Sequence, residues 1–140
     1  NCRFGDPECQ VLMMRFQGDL VATMMACANG ELSRVEAEFS EDTALTVVMA
    51  AKGYPGTPDK GGAIDLGAAE AEGAKVFHAG TALKDGALVA NGGRVLNVTA
   101  MGANVTQAQA AAYQAVDAVQ FESGFCRRDI GWREVERESS

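Results

Sequence analysis

The sequence predicts an α+β chain, and three observations carry that reading. The first thirty residues have helical spacing between recognisable start and stop residues. The middle switches to strand-like runs of Val, Thr and Ala cut by glycine turns. An alanine-rich helical stretch then follows the strands.

Asp6-Pro7-Glu8 reads as a helix start, with Asp6 as cap and Pro7 at the first helical position. Leu12, Phe16 and Leu20 follow at four-residue steps as a buried stripe, interrupted at Gln17-Gly18. Asp19 is expected to cap a second helix that stops at Asn29-Gly30. The Met13-Met14 and Met24-Met25 pairs read as core filling. Val35, Ala37 and Phe39 alternate as in a half-buried strand. Leu45 to Ala51 is a continuous apolar run with Val and Thr, the pattern of a central strand, and Gly53-Tyr54-Pro55-Gly56 ends it. Lys75 to Phe77 reads as a strand. Lys84-Asp85-Gly86 and Asn91-Gly92-Gly93 bracket a short strand from Ala87 to Ala90 and both read as hairpin turns. Arg94 to Ala100 alternates, with Val95, Asn97 and Thr99 on one side and Arg94, Leu96 and Val98 on the other. Thr106 to Val119 returns to helix, and the charged tail from Glu134 is expected to fray. A boundary near residues 30–38 separates the helical start from the strand-rich body.

At 140 residues and 47% apolar, the chain has the composition of a globular domain with a modest core. No apolar run approaches the roughly 18 residues of a membrane helix, and no secretory signal is visible. A first residue of Asn rather than Met points to a fragment or a processed chain. The net charge of -7 and the absence of a basic stripe argue against nucleic acid. They leave anionic ligands open, because one well-placed arginine can hold a phosphate. The four cysteines include no CxxC pair, and His78 is the sole histidine, so zinc lacks its ligand spacing. Reduced thiols are expected; a disulfide stays open. Asn97-Val98-Thr99 and Asn104-Val105-Thr106 match the glycosylation pattern by chance.

Five segments carry a resemblance. They are Asn1-Cys2-Arg3-Phe4-Gly5-Asp6-Pro7-Glu8, Gly53-Tyr54-Pro55-Gly56, Val76-Phe77-His78-Ala79-Gly80-Thr81, Asn91-Gly92-Gly93-Arg94-Val95-Leu96 and Arg127-Arg128-Asp129-Ile130-Gly131-Trp132-Arg133. In this order and spacing the chain resembles the C-terminal part of the phosphoribosylamine–glycine ligase family, within the ATP-grasp superfamily. The resemblance implies that residues 1–38 are the end of an ATP-grasp domain. Residues 39–140 are then a small, mainly antiparallel C-terminal domain with one longer helix. It implies an intact cytoplasmic enzyme of purine biosynthesis that uses ATP, glycine and phosphoribosylamine, with magnesium or manganese. Glycine would be activated as glycyl phosphate. The remainder of the ligase chain is the expected partner, with no nucleic acid and no membrane, and the fragment alone is expected to be inactive. A different reading is a stand-alone module that binds an anion or a partner chain without catalysis.

The same resemblance assigns roles by position. Asn1 matches a magnesium ligand, while the preceding Glu of the motif falls outside this chain. Cys2 stands where the family has Val, and Cys9 where Thr is common. Arg3 is placed beside the metal, where a guanidinium would stabilise the developing acyl phosphate; otherwise it is a surface arginine. Asp6 either caps its helix or receives an ammonium or attacking amine. Glu8 complements the helix dipole. Gly92, Gly93 and Arg94 read as a phosphate-holding turn or as an ordinary hairpin with a solvated arginine. Lys84 is a weaker partner for the same phosphate. His78, Tyr54, Pro55 and Trp132 read as structural, and Arg127, Arg128 and Arg133 as surface ion-pair residues.

Overall fold

The computed structural model describes residues 3–140. Among them the chain forms two helices, α1 (Glu8–Arg15) and α2 (Leu20–Ala28), and a single 3-10 turn, Leu32–Arg34. Strand β1 (Thr43–Ala51) comes next, followed by β2 (Lys75–His78), β3 (Thr81–Lys84), β4 (Ala87–Ala90) and β5 (Arg94–Gly102). Helix α3 (Val105–Ala118), strand β6 (Gly124–Cys126) and helix α4 (Trp132–Glu138) complete the chain.

Every strand pair is antiparallel, as expected for an α+β chain. The main sheet has the order β2-β5-β1-β6, and β3 pairs with β4 as a separate ribbon. The long strands β1 and β5 lie side by side at the centre. Opposed residues share a face. One face carries Leu45, Val47, Met49, Leu96, Val98 and Ala100, all buried, and Ala108, Ala112 and Val116 of α3 join them in the core. The other carries Thr46, Val48, Asn97 and Thr99, and α1 packs over it. Thr46 and Thr99 join by a hydroxyl hydrogen bond of 2.8 Å. Burial on both faces explains why β5 reads as a near-continuous buried run rather than an alternating one.

A β-bulge sits where β1 passes from Met49 to Ala50. Met49 faces Leu96, but Ala50 faces Arg94, so Val95 is the extra residue. The expected alternation puts Arg94 with Leu96 and Val98. The bulge instead moves Arg94 onto the face of Asn97.

Local signals fix several elements. Asp19 caps α2 by accepting from the Ala22 amide at 2.9 Å, and Gly30 ends it with φ +71°. Asn104 caps α3 through the Gln107 amide at 2.9 Å. The β3–β4 turn has Asp85 and Gly86 at φ +51° and +81°, as a type I′ turn requires.

Six expectations are corrected. Asp6 makes no capping bond to α1; its carboxylate points toward β5, and Glu8 accepts from the Gly5 amide instead. Leu20 is exposed rather than part of a buried stripe, and Met24 and Met25 are exposed too, at 62% and 59%. Residues 35–39 form no strand, because the only pairing there is one bridge between Phe39 and Phe16. Asn91-Gly92-Gly93 is no hairpin: it carries the chain from the β3–β4 ribbon into the main sheet. The tail is ordered as α4. The Glu138 carboxylate accepts from the Val105 and Thr106 amides, at 2.7 and 2.9 Å, and from the Thr106 hydroxyl at 2.7 Å. It thereby occupies the open N–H end of α3, where a negative charge is favoured.

Candidate functional site

The predicted site residues divide into those the fold brings together and those it keeps apart. Asp6 and Arg94 meet. The Arg94 guanidinium lies 3.0 Å from an Asp6 carboxylate oxygen, and both side chains are about two-fifths exposed. A second Arg94 N–H points at the Asp6 carbonyl at 3.4 Å. Arginine has five N–H donors in a planar fork, so three remain for other partners.

Two amides that sequence reasoning passed over complete this cluster. Asn97 Nδ2 donates to Asp6 Oδ1 at 3.2 Å, and Gln10 Nε2 donates to the same oxygen at 3.3 Å. Asn97 is fully buried. A signal for it did exist: an amide in the run Leu96-Asn97-Val98 is a polar residue where a central strand wants apolar ones. Among the described residues its oxygen, Oδ1, has no hydrogen-bond partner, and neither has Gln10 Oε1.

Arg94 rims a cleft of about 420 Å³ on this face of the sheet. Val48 and Ala50 form its floor, with Pro7, Tyr54 and Phe125 around it. Arg127 stands at the same cleft, but Asp129 takes its fork through two bonds of 2.8 and 2.6 Å. That bond raises the Arg127 pKa further above its ordinary value and holds the Asp129 carboxyl below its own. Cys126 also lines the cleft, and burial pushes its thiol up.

The glycines beside Arg94 have a packing role. A side chain on Gly93 would run into the Tyr54 ring, and Gly92 lies against the Gly80 backbone. Lys84 is at the far end of the β3–β4 ribbon, paired with Ala87. Three residue steps along the strand separate it from Thr81, roughly 10 Å of chain. Arg3 is exposed in a bend, not a strand, and donates to the neighbouring Phe4 carbonyl at 2.9 Å. The expected metal ligand, Asn1, lies outside the described residues. Among the described residues no three His, Cys, Asp or Glu side chains converge to hold a metal ion, so these residues do not form a magnesium site by themselves. Nor is any described helix long and apolar enough to cross a membrane.

His78 is exposed and shares a 3.0 Å hydrogen bond with Thr81. Arg128 pairs with Asp117 at 2.6 Å, whereas Arg133 lies over the Trp132 ring. The three cysteines among the described residues, Cys9, Cys27 and Cys126, are free thiols.

Residues 44–133 match the family model described as "Phosphoribosylglycinamide synthetase, C domain". The chain belongs to this family. Phosphoribosylamine–glycine ligase from Agrobacterium fabrum is 62% identical over 140 residues, covering 100% of this chain and 33% of the relative. The chloroplastic ligase of the same name from Arabidopsis thaliana is 54% identical, over 95% of this chain and 26% of its own length. A crystal structure of phosphoribosylamine–glycine ligase from Thermotoga maritima superposes with a TM-score of 0.74 at 36% identity. It covers 92% of this chain and 32% of that one. The C-domain chain therefore spans about a third of the length of the ligases it matches.

Proposed function

We propose that this chain is the C-terminal third of a phosphoribosylamine–glycine ligase, and that the intact protein joins the two substrates at the expense of ATP in purine biosynthesis. The γ-phosphoryl group of ATP passes to the glycine carboxylate, giving glycyl phosphate and ADP. The amine of phosphoribosylamine attacks the acyl carbon, phosphate leaves, and an amide forms with loss of a proton. The observation that carries this reading is the match to the ligase C domain over residues 44–133, joined to near-complete coverage of this chain by the ligases.

Within that reaction Arg94 would hold the 5′-phosphate of phosphoribosylamine. Its placement at a cleft with three free N–H directions supports this. The phosphate is remote from the bond being made, so its contacts would position the amine for attack. Asp6 would orient Arg94 from the opposite edge. Among the described residues Arg3 engages its neighbour's carbonyl, which leaves guanidinium donors for the charge that would grow on the acyl phosphate. Magnesium or manganese would neutralise phosphate charge in the intact enzyme, with Asn1 as this chain's ligand.

Residues 1–38 would belong with the ATP-grasp part and 39–140 would form the ligase C-terminal domain. Exposed Phe4, Leu20, Val21, Met24, Met25 and Leu32 support this division, because so many large apolar side chains left in the open within one short segment suit a surface covered by further chain. The remaining two-thirds of the ligase would cover them. We place the intact enzyme in the cytoplasm.

The test compares the full-length protein with this chain alone, following ADP release. The full-length protein should release ADP only when glycine and phosphoribosylamine are both supplied, and the 140-residue chain should release none. Release by the full-length protein that ignores either substrate overturns the assignment.

A further inference from the structure

Asn97 has no explanation in folding alone. It is fully buried in the middle of β5, opposite Val48 on one side and Phe77 on the other. An apolar side chain of the same size would pack there without leaving the Oδ1 acceptor unpartnered. The cost of that orphaned oxygen is borne at one of the best-packed positions in the sheet.

What Asn97 does is hold Asp6. Its Nδ2 donates to Asp6 Oδ1 at 3.2 Å, while the other oxygen, Oδ2, faces the Arg94 guanidinium at 3.0 Å. Gln10 steadies Oδ1 from α1. Asn97 and Arg94 come from the same strand, and the extra residue Val95 lets both look at one carboxylate. Strand β5 thus supplies both ends of the chain Asn97–Asp6–Arg94, and the segment before α1 supplies only the middle. An amide donor also suits the task better than a second cation, which would draw the carboxylate away from Arg94.

We infer that Asn97 is a positioning residue: through Asp6 it fixes the orientation in which Arg94 meets the substrate phosphate. The inference rests on the phosphate role proposed above for Arg94. Asn97 touches no substrate itself.

The experiment uses the full-length protein and the variant Asn97→Leu, which keeps the branched outline and removes the amide. Melting temperature should stay level or rise, because the orphaned acceptor is gone. The apparent constant for phosphoribosylamine should rise about fivefold, the loss expected from one hydrogen bond of roughly 1 kcal/mol. Those for ATP and glycine should stay put. The same substitution in an Asp6→Ala background should add nothing further, since the two residues act in series. Asn97→Val supplies the same comparison should Leu fail to fold, because it removes the amide with less added volume. A folded variant with unchanged phosphoribosylamine kinetics overturns the inference, and so does an undiminished effect in the Asp6→Ala background. Arg94→Ala separates the two levels. A rise with Arg94→Ala and none with Asn97→Leu removes only the role of Asn97. No rise with Arg94→Ala removes the phosphate reading and this inference together.

Discussion

If the full-length protein is the ligase proposed above, replacing Arg94 with Ala in it should separate binding from stability. The pair with Asp6 is 3.0 Å long, but its side chains are 42% and 38% exposed. Solvent screening at that exposure limits the pair to under about 1 kcal/mol of folding stability. The substrate side is different in scale. A hydrogen bond from a guanidinium to a phosphate dianion is charge-assisted and contributes roughly 1.5–3 kcal/mol. At about 1.4 kcal/mol per factor of ten, losing such contacts raises the apparent constant for phosphoribosylamine about 10- to 100-fold. The constants for ATP and glycine should be near normal, and the melting temperature should hardly move. Arg94→Lys should recover part of the loss, because an ammonium restores charge without the planar fork. Steady-state kinetics with each substrate varied in turn, alongside a thermal melt, makes the measurement. Unaltered phosphoribosylamine kinetics would refute the reasoning. So would a fall in affinity for all three substrates that tracks a large loss of stability.

Arg3→Ala in the same protein should lower turnover more than it weakens ATP binding, with a barrier increase of roughly 3 kcal/mol; an unchanged maximal rate would make Arg3 a surface residue. Gly80→Ala should destabilise the fold by about 1–3 kcal/mol, as overpacking does. Its new Cβ would sit 2.5 Å from the Arg94 carbonyl and 3.0 Å from Gly92 Cα, both backbone atoms, so denaturant melts should show the loss. Glu138 has a folded pKa held below the ordinary glutamate value, chiefly by its hydrogen bonds from Thr106 and then by that from Val105. A depressed carboxyl pKa stabilises above its unfolded value, and the contribution fades as pH falls through the folded value. Amide exchange at Val105 and Thr106, corrected for intrinsic rates, should therefore speed up on acidification below the ordinary glutamate range. In Glu138→Gln exchange should already be faster at neutral pH and should show no such acid transition.

What the sequence made legible is mostly local chemistry. Asp19, Asn29 and Gly30 mark both ends of α2 because capping depends on residues a few positions apart. Asp85-Gly86 marks its turn because only certain residues accept positive φ. Features set by distant partners did not show. Val35, Ala37 and Phe39 alternate but have no neighbouring strand to pair with, and alternation alone makes no sheet. Glu138 resembles any charged tail residue until α3, more than thirty positions away, presents its open amides. Met24 and Met25 look like core because α2 is apolar, yet among the described residues nothing covers them. Gly-Gly-Arg singles out Arg94 as a candidate, while its contact with Asp6 spans 88 residues and depends on a bulge that no local pattern announces. Asn97 is marked in the sequence as an amide between Leu96 and Val98, but its partner Asp6 lies 91 residues away and no local pattern names it.

That bulge acts on β5 as a reading frame acts on a message. From Leu96 onward, odd and even positions have fixed meanings, cleft or core; before Val95 the meanings are exchanged. Deleting one residue at this point would preserve the composition of the strand and most of its hydrogen bonds. It would also turn Arg94 from the cleft toward packed hydrocarbon, where its charge has no counterpart. When relatives are compared, a gap of a single position between residues 93 and 96 thus weighs more than several substitutions elsewhere in the strand. Matching the arginine by letter alone would miss whether it still looks at the carboxylate of residue 6.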